Sequence, residues 1–177
     1  MSRKAVSEIM LAMLLVCMST SVFNFHSVKA ATRTITVPDE YSTIQAAIDA
    51  ANPGDTIFVR ARTYYENITI DKTIFLIGES RRNTIIDGNE TGTGVNVTAS
   101  NVVINGFTIR NSAMFENGIY VYGCSNVIIK NNTIVNNGYG VSLIETHGSM
   151  INENSLTANQ YYGIWLSEFS TNNTISE

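Results

Sequence analysis

Two glutamates stand at matched places in this chain. Glu145 follows Gly140 and Glu168 follows Gly163 by the same number of residues, after the tetrapeptides Gly140-Val-Ser-Leu143 and Gly163-Ile-Trp-Leu166. If these tetrapeptides are equivalent strands on adjacent layers, the two carboxylates lie ~4.8 Å apart. Carboxylates that close repel unless one protonates or a cation such as Ca²⁺ sits between them. A third tetrapeptide, Gly118-Ile-Tyr-Val121, extends the series. Strand alternation then turns Ile119, Val141 and Ile164 inward and Tyr120, Ser142 and Trp165 outward. Tyr122 follows outward on the same strand, and Tyr139 and Tyr162 sit at the preceding bend. Flat exposed rings beside carboxylates and Asn amides suit a saccharide: the ring stacks on the C–H face and the polar groups take the hydroxyls. Tyr120, Tyr122, Glu145, Trp165 and Glu168 are therefore the candidate carbohydrate-binding residues, with a polysaccharide or glycan as the expected partner. The competing reading lets the glutamates splay into water and the aromatics merely cover the sheet.

A copper site would need clustered Met, His and Cys donors. Beyond residue 30 the chain offers Met114, Cys124, His147 and Met150, scattered through different repeat positions. Met150 aligns with Val103 and Ile128 and so reads as a strand residue. Cys124 lies at a turn beside Gly123. The residues therefore assign no resident cofactor, with Ca²⁺ or copper as the ions to consider, and they assign no catalytic group.

The elements that must position these side chains form a repeat. Asn101-Val-Val-Ile-Asn-Gly-Phe-Thr-Ile109, Asn126-Val-Ile-Ile-Lys-Asn-Asn-Thr-Ile134 and Gly148-Ser-Met-Ile-Asn-Glu-Asn-Ser-Leu156 align at spacings of 25 and 22 residues. Short apolar bursts bounded by Asn and Gly are strands between turns. A period near 23 leaves no room for hairpins, so each strand must pair in parallel with its equivalent one repeat later. That is an all-β parallel β-helix, five or six coils long, with stacked Ile, Val and Leu columns inside. A leucine-rich repeat has a similar period, but its regular leucine and helix positions are missing. Asn suits the bends because it tolerates left-handed backbone and can bond to an Asn on the next coil; Asn131, Asn132 and Asn154 sit where such a ladder would run. Residues 42–51 differ. Ile44, Ala47, Ile48 and Ala51 share a helical face, Ser42 and Gln45 form a capping box, and Asn52-Pro53-Gly54 stops the helix. This segment is read as an amphipathic cap over the first coil. Asn173-Thr-Ile-Ser-Glu177 aligns with Ser149-Met-Ile-Asn-Glu153, which predicts that the solenoid continues and that the chain is truncated at its C-terminal end.

The chain has 177 residues and a net charge of −4. That balance argues against a nucleic-acid partner, which needs clustered Lys and Arg. Arg3 and Lys4, an apolar run from Ile9 to Phe23, and Val28-Lys29-Ala30 read as a signal peptide over residues 1–30, cleaved before Ala31. The alternative, an uncleaved membrane anchor, needs about 20 consecutive apolar residues, and Ser19-Thr20-Ser21 interrupts the run. Residues 31–177 form the β-helix domain, with 8 basic and 14 acidic residues, a net 8 − 14 = −6. Cys124 is its one cysteine, so no internal disulfide is possible. These features predict a secreted or cell-surface protein with no transmembrane segment after cleavage.

The stretch Val37-Pro-Asp-Glu-Tyr-Ser-Thr-Ile-Gln-Ala-Ala-Ile-Asp-Ala-Ala-Asn-Pro-Gly-Asp-Thr-Ile-Phe-Val59 resembles the opening of the right-handed parallel β-helix, or pectin-lyase-like, superfamily. Tyr64-Tyr-Glu-Asn-Ile68, Leu76-Ile-Gly78 and Thr84-Ile-Ile-Asp-Gly88 resemble it too. The Asn-rich later repeats look most like NosD-type proteins and proteins with carbohydrate-binding and sugar-hydrolysis repeats. Arg62 stands where the superfamily usually has Gly, which predicts mild turn strain. The resemblance implies three functions: a carbohydrate-binding or surface scaffold module, the N-terminal part of a pectin esterase or lyase type enzyme, or a NosD-like periplasmic copper-binding protein. Esterases of this kind use two aspartates and an arginine on later coils. Here Asp39, Asp49, Asp55, Asp71 and Asp87 all precede residue 95, so no catalytic position carries over. Lyases of the fold use Ca²⁺ held by acidic residues with a basic residue as base; the later repeats hold only Arg110 and Lys130, without an acidic cluster beside them.

Overall fold

The computed structural model describes residues 31–167 and 169–177. The signal-peptide reading falls on residues 1–30 and lies outside the described residues, as does Glu168. The described chain opens with β1 (Thr34–Val37) and a helix, α1 (Ile44–Ala50). Five three-strand coils follow. They are β2 (Thr56–Val59), β3 (Thr63–Tyr65) and β4 (Ile68–Ile70); then β5 (Phe75–Gly78), β6 (Ile85–Asp87) and β7 (Val95–Val97); then β8 (Val103–Asn105), β9 (Thr108–Arg110) and β10 (Asn117–Tyr122). Next come β11 (Ile128–Lys130), β12 (Thr133–Val135) and β13 (Tyr139–Ile144), then β14 (Met150–Asn152), β15 (Ser155–Thr157) and β16 (Ile164–Leu166), and β17 (Thr174–Ser176) starts another coil. The strands stack into three parallel sheets. Sheet A runs β1-β2-β5-β8-β11-β14-β17, sheet B β3-β6-β9-β12-β15, and sheet C β4-β7-β10-β13-β16. The parallel β-solenoid expected from the repeat is the observed architecture.

Register places like on like. In sheet A, Ile35, Ile57, Leu76, Ile104, Ile129, Ile151 and Ile175 stack in one column. In sheet C, Ile68, Val95, Ile119, Val141 and Ile164 form one column, and Ile70, Val97, Val121, Leu143 and Leu166 another. These columns fill the core, fully buried over most of their length. Each buried aliphatic side chain contributes about 1.5–3 kcal/mol, so the stack is the principal source of stability.

The corners use left-handed backbone at repeated positions. Asn101, Asn126, Gly148 and Asn172 share one corner; Gly106, Asn131 and Glu153 share another; Asn111, Asn136 and Ala158 a third. Asn and Gly adopt that region at least cost. Arg62 is not among the left-handed residues, so the expected turn strain is absent, and its guanidinium lies 5.8 Å from the Tyr64 ring centroid.

Two amide ladders tie the corners together. Asn132 is fully buried. Its Oδ1 accepts from Phe107 N–H, and its Nδ2 donates to Ile104 O and to Asn154 Oδ1. The expected ladder therefore includes Asn132 and Asn154, while Asn131 donates to Asn105 at the more open side of the corner. A second ladder, Asn137 on Asn159, repeats the pattern at the next corner: Asn137 Oδ1 accepts from Ser112 N–H and its Nδ2 reaches Asn159 Oδ1.

Helix α1 buries Ile44, Ala47 and Ile48 against the first coil, but the cap is not Ser42 with Gln45. Thr43 is the N-cap, and its Oγ1 accepts from Ala46 N–H at 3.2 Å. Glu66, from the next coil, adds a second cap: its two oxygens accept the N–H groups of the first two helical residues, Ile44 and Gln45, at 3.0 Å each. Gln45 is released for another task. Its amide accepts from Thr69 N–H and donates to Thr69 O, acting as a one-residue strand on the free edge of β4. Among the described residues no helix is long and apolar enough to cross a membrane.

Candidate functional site

The outer face of sheet C and its flanking turns hold Tyr120, Tyr122, Glu145 and Trp165, singled out in the sequence. Its starting point is a column of glycines. A Cβ on Gly118 would stand 2.9 Å from Gly140 O, and one on Gly140 would meet the Gly163 backbone. Glycine is needed there because the coils approach too closely for any side chain. The close approach sets Tyr139 and Tyr162, which directly precede Gly140 and Gly163, ring over ring with centroids 6.1 Å apart.

Tyr139 is the hub of a larger cluster. Trp165 packs against it at 5.5 Å and Tyr161 at 5.0 Å, and Phe115 stacks on Tyr161 at 5.6 Å with an interplanar angle of 16°. The exposed fractions are 69% for Phe115, 60% for Tyr162, 45% for Trp165 and 37% for Tyr161. Phe115 and Tyr161 escape the repeat reading. A signal was present: Asn159-Gln-Tyr-Tyr-Gly163 holds one residue more than Asn137-Gly-Tyr-Gly140, and the insertion projects a ring.

The other predicted aromatics form a separate pair. Tyr120 and Tyr122 lie parallel, at 5° and 6.3 Å, on β10. Register aligns Thr69, Asn96, Tyr120, Ser142 and Trp165 in one outward column. Ser142 is covered, its Oγ donating to Asn117 Oδ1, so the face presents Tyr120 and Trp165 with a small step between. Glu145 is exposed, in left-handed backbone (φ 53°) at the exit from sheet C. Its predicted partner Glu168 lies outside the described residues. Burial first, and then the neighbouring Tyr122, Glu145 and Glu116, hold the Tyr120 phenol above its ordinary value.

Grooves flank the rings. One of about 600 Å³ runs along the corner between sheets B and C, lined by Glu90, Asn111, Asn136, Asn137 and Gln160. Gln160 directly precedes Tyr161. A second, of about 360 Å³, is lined by Thr69, Thr93, Asn96, Glu116 and Tyr120, and there Glu116 accepts from Thr93 Oγ1 at 2.6 Å. Volumes of this order hold small organic groups.

Asp87 and Arg110, on adjacent coils of sheet B, form an ion pair at 2.8 Å. Asn89 N–H and Asn111 Nδ2 also donate to Asp87. Burial pushes the Asp87 carboxyl up, but Arg110, Asn89 and Asn111 outweigh it and hold the group below its ordinary value. A buried carboxylate with every oxygen engaged is a corner tie and a poor acid or nucleophile.

Among the described residues no group of three or more His, Cys, Asp and Glu side chains is placed to hold a metal ion. The Cys124 thiol is buried and donates to Tyr122 O at 2.9 Å, and burial pushes it above its ordinary value. His147 Nδ1 is paired with Thr171 Oγ1 at 2.8 Å. Met114 and Met150 are exposed, Met114 on the groove beside the rings and Met150 on the outside of sheet A.

The family described as periplasmic copper-binding protein (NosD) matches residues 48–177. No curated protein matches the sequence. Among solved structures, a pectin methylesterase in complex with a hexasaccharide is similar at 15% identity and a TM-score of 0.55, over 82% of this chain and 66% of that one. The pectin methylesterase PemA from Erwinia chrysanthemi is similar at 17% and 0.54, over 84% and 66%. An alginate lyase from a Paenibacillus species is similar at 18% and 0.53, over 82% and 66%. The chain thus spans about two thirds of the length of the solved structures it matches, and at these identities the likeness shows the fold, a right-handed parallel β-helix. Copper, which the family description names, finds no ready site among the described residues: the Cys124 thiol is buried and donates to Tyr122 O, and His147 Nδ1 is engaged by Thr171 Oγ1.

Proposed function

The chain belongs to the NosD family, and on that premise we propose that it is an exported β-helix protein that binds glycan chains across the outer face of sheet C. The observation that carries this reading is the five-ring cluster in which Tyr161, Tyr162 and Trp165 pack on Tyr139 and Phe115 stacks on Tyr161, with every ring but Tyr139 exposed. A contiguous exposed apolar patch rimmed by polar groups marks a binding surface. Trp165, Tyr162 and Phe115 offer stacking faces for sugar rings. Asn96, Glu116 and Glu145 offer acceptors for hydroxyls, and the amides of the flanking groove offer both donors and acceptors. Coils repeat every ~4.8 Å, so a chain laid along the solenoid axis passes Thr69, Asn96, Tyr120 and Trp165, with the covered Ser142 as the gap between the last two. The pectin methylesterase crystallised with a hexasaccharide is a protein of this fold that holds an oligosaccharide; the rings are this chain's own. The periplasmic description of the family and the leader-like first thirty residues support export.

The test is a glycan array on the protein, followed by isothermal titration with the best oligosaccharide. Trp165→Ala and Tyr162→Ala should each weaken binding by about tenfold, the loss of one stacking contact. Full affinity in both variants, with circular dichroism unchanged, would sink the reading.

A further inference from the structure

The charges around the rings are segregated. Among the described residues the cations are Arg33, Arg60, Arg62, Lys72, Arg81, Arg82, Arg110 and Lys130. Arg33 precedes β1. Arg60 and Arg62 lie between β2 and β3, and Arg81 and Arg82 between β5 and β6, all at the corner of sheets A and B. Arg110 ends β9 on sheet B and Lys130 ends β11 on sheet A. Lys72 follows β4 on the first coil and is paired with Asp71. From β7 through β16, no Lys or Arg occurs in sheet C or in the described turns on either side of it.

Carboxylates occupy that region instead. Glu90 lines the larger groove beside the rings, Glu116 lines the smaller one beside Tyr120, and Glu145 stands at the exit of β13. The contrast lies on sheet B, where a groove of about 480 Å³ is lined by Arg81, Arg82, Thr108 and Thr133 and by no acid. Arg81 is fixed there, its Nε donating to Thr133 Oγ1 at 3.0 Å. The basic groove and the aromatic face are therefore on different sheets.

From this segregation, and resting on the glycan reading above, we infer that the sheet C face selects neutral glycan chains and rejects polyuronates and other polyanions. A neutral sugar loses nothing beside Glu116 and Glu145, because hydroxyls donate to carboxylates, and such charge-assisted bonds are the stronger kind. A uronate brings a third negative charge against them with no cation to balance it. The Debye length is ~10 Å at 0.1 M salt, so the repulsion acts across the whole groove at low ionic strength and fades as salt is added.

The experiment compares a neutral β-linked glucan hexasaccharide with hexagalacturonate by isothermal titration on the whole protein, at low and at high salt. The neutral chain should bind, insensitive to salt and weakened by Trp165→Ala or by Tyr162→Ala. Hexagalacturonate should bind at least about tenfold more weakly at low salt, and the Glu116→Gln/Glu145→Gln pair should narrow that gap. Equal or tighter binding of hexagalacturonate, lost in Trp165→Ala, overturns the charge inference and leaves the glycan platform standing. Hexagalacturonate binding lost in Arg81→Ala but kept in Trp165→Ala places the polyanion on sheet B and supports the inference. Binding of neither chain overturns the platform and the inference with it.

Discussion

Replacing Asn132 by Ala tests whether the amide ladder or only the aliphatic stack holds the coils in register. The Asn132 side chain accepts from Phe107 N–H at 3.0 Å and donates to Ile104 O at 3.0 Å and Asn154 Oδ1 at 3.1 Å. Phe107 and Asn132 are both fully buried, so water cannot replace the lost acceptor. Orphaning the Phe107 N–H costs about 1–3 kcal/mol, and each lost donated bond about 0.5–1.5, together on the order of 2–6 kcal/mol. Asn154 Oδ1 is spared, because it keeps the Asn132 backbone N–H at 2.9 Å. The control is Asn105→Ala, which removes a single 3.3 Å bond from Asn131 at the more open side of the corner and should cost about 0.5–1 kcal/mol. Urea unfolding followed by circular dichroism gives the global values. Solenoids can open locally, so hydrogen exchange at the Phe107 amide gives the direct one, and it should lose protection in Asn132→Ala alone. Equal stability of the two variants, with Phe107 still protected, would refute the ladder and leave register to the Ile and Val columns.

Asp87 makes a prediction in pH. Its carboxyl is held below its ordinary value in the fold, so its contribution is full above the unfolded pKa of ~3.9 and is lost as pH falls through the lower folded value. The stability difference between wild type and Asp87→Asn should therefore be constant from pH 7 to about 5 and shrink below it; a difference that grows toward acid would contradict the ion-pair assignment. Cys124 predicts a reactivity. It is 1% exposed with its thiol raised by burial, so iodoacetamide at pH 8 should leave it unmodified until the protein is unfolded, and peptide mass mapping that finds rapid native labelling would place the thiol outside the core.

The sequence by itself determined the architecture. Three aligned segments with a period near 23, Asn and Gly at the bends and apolar bursts of strand length left a parallel β-helix as the arrangement that pairs every strand, because parallel pairing of equivalents is all that such spacing allows. It also determined which side chains point outward on sheet C, since alternation is local. Contacts between equivalent positions, such as the Asn132–Asn154 ladder, were legible from the repeat; what the sequence could not decide was contact between non-equivalent positions. The helix is capped by Thr43 and not Ser42, and Glu66, a coil away, takes the first two helical N–H groups. The free Gln45 then satisfied the edge of β4. Asp87 and Arg110 stand one period apart and so stack in register, but that Asp87 is buried with Asn89 and Asn111 also donating to it, and that Cys124 turns its thiol to a backbone carbonyl, came only with the fold. The aromatic face followed the same rule. Trp165 and Tyr162 were legible from the repeat, but their gathering around Tyr139, and the addition of Phe115 and Tyr161, came from glycines that let the coils close up and from a single inserted residue that changed where a ring could go. Periodicity settles what stacks on what; only the tertiary structure settles how side chains at the irregular positions reach across the stack, because those contacts join residues that no local pattern relates.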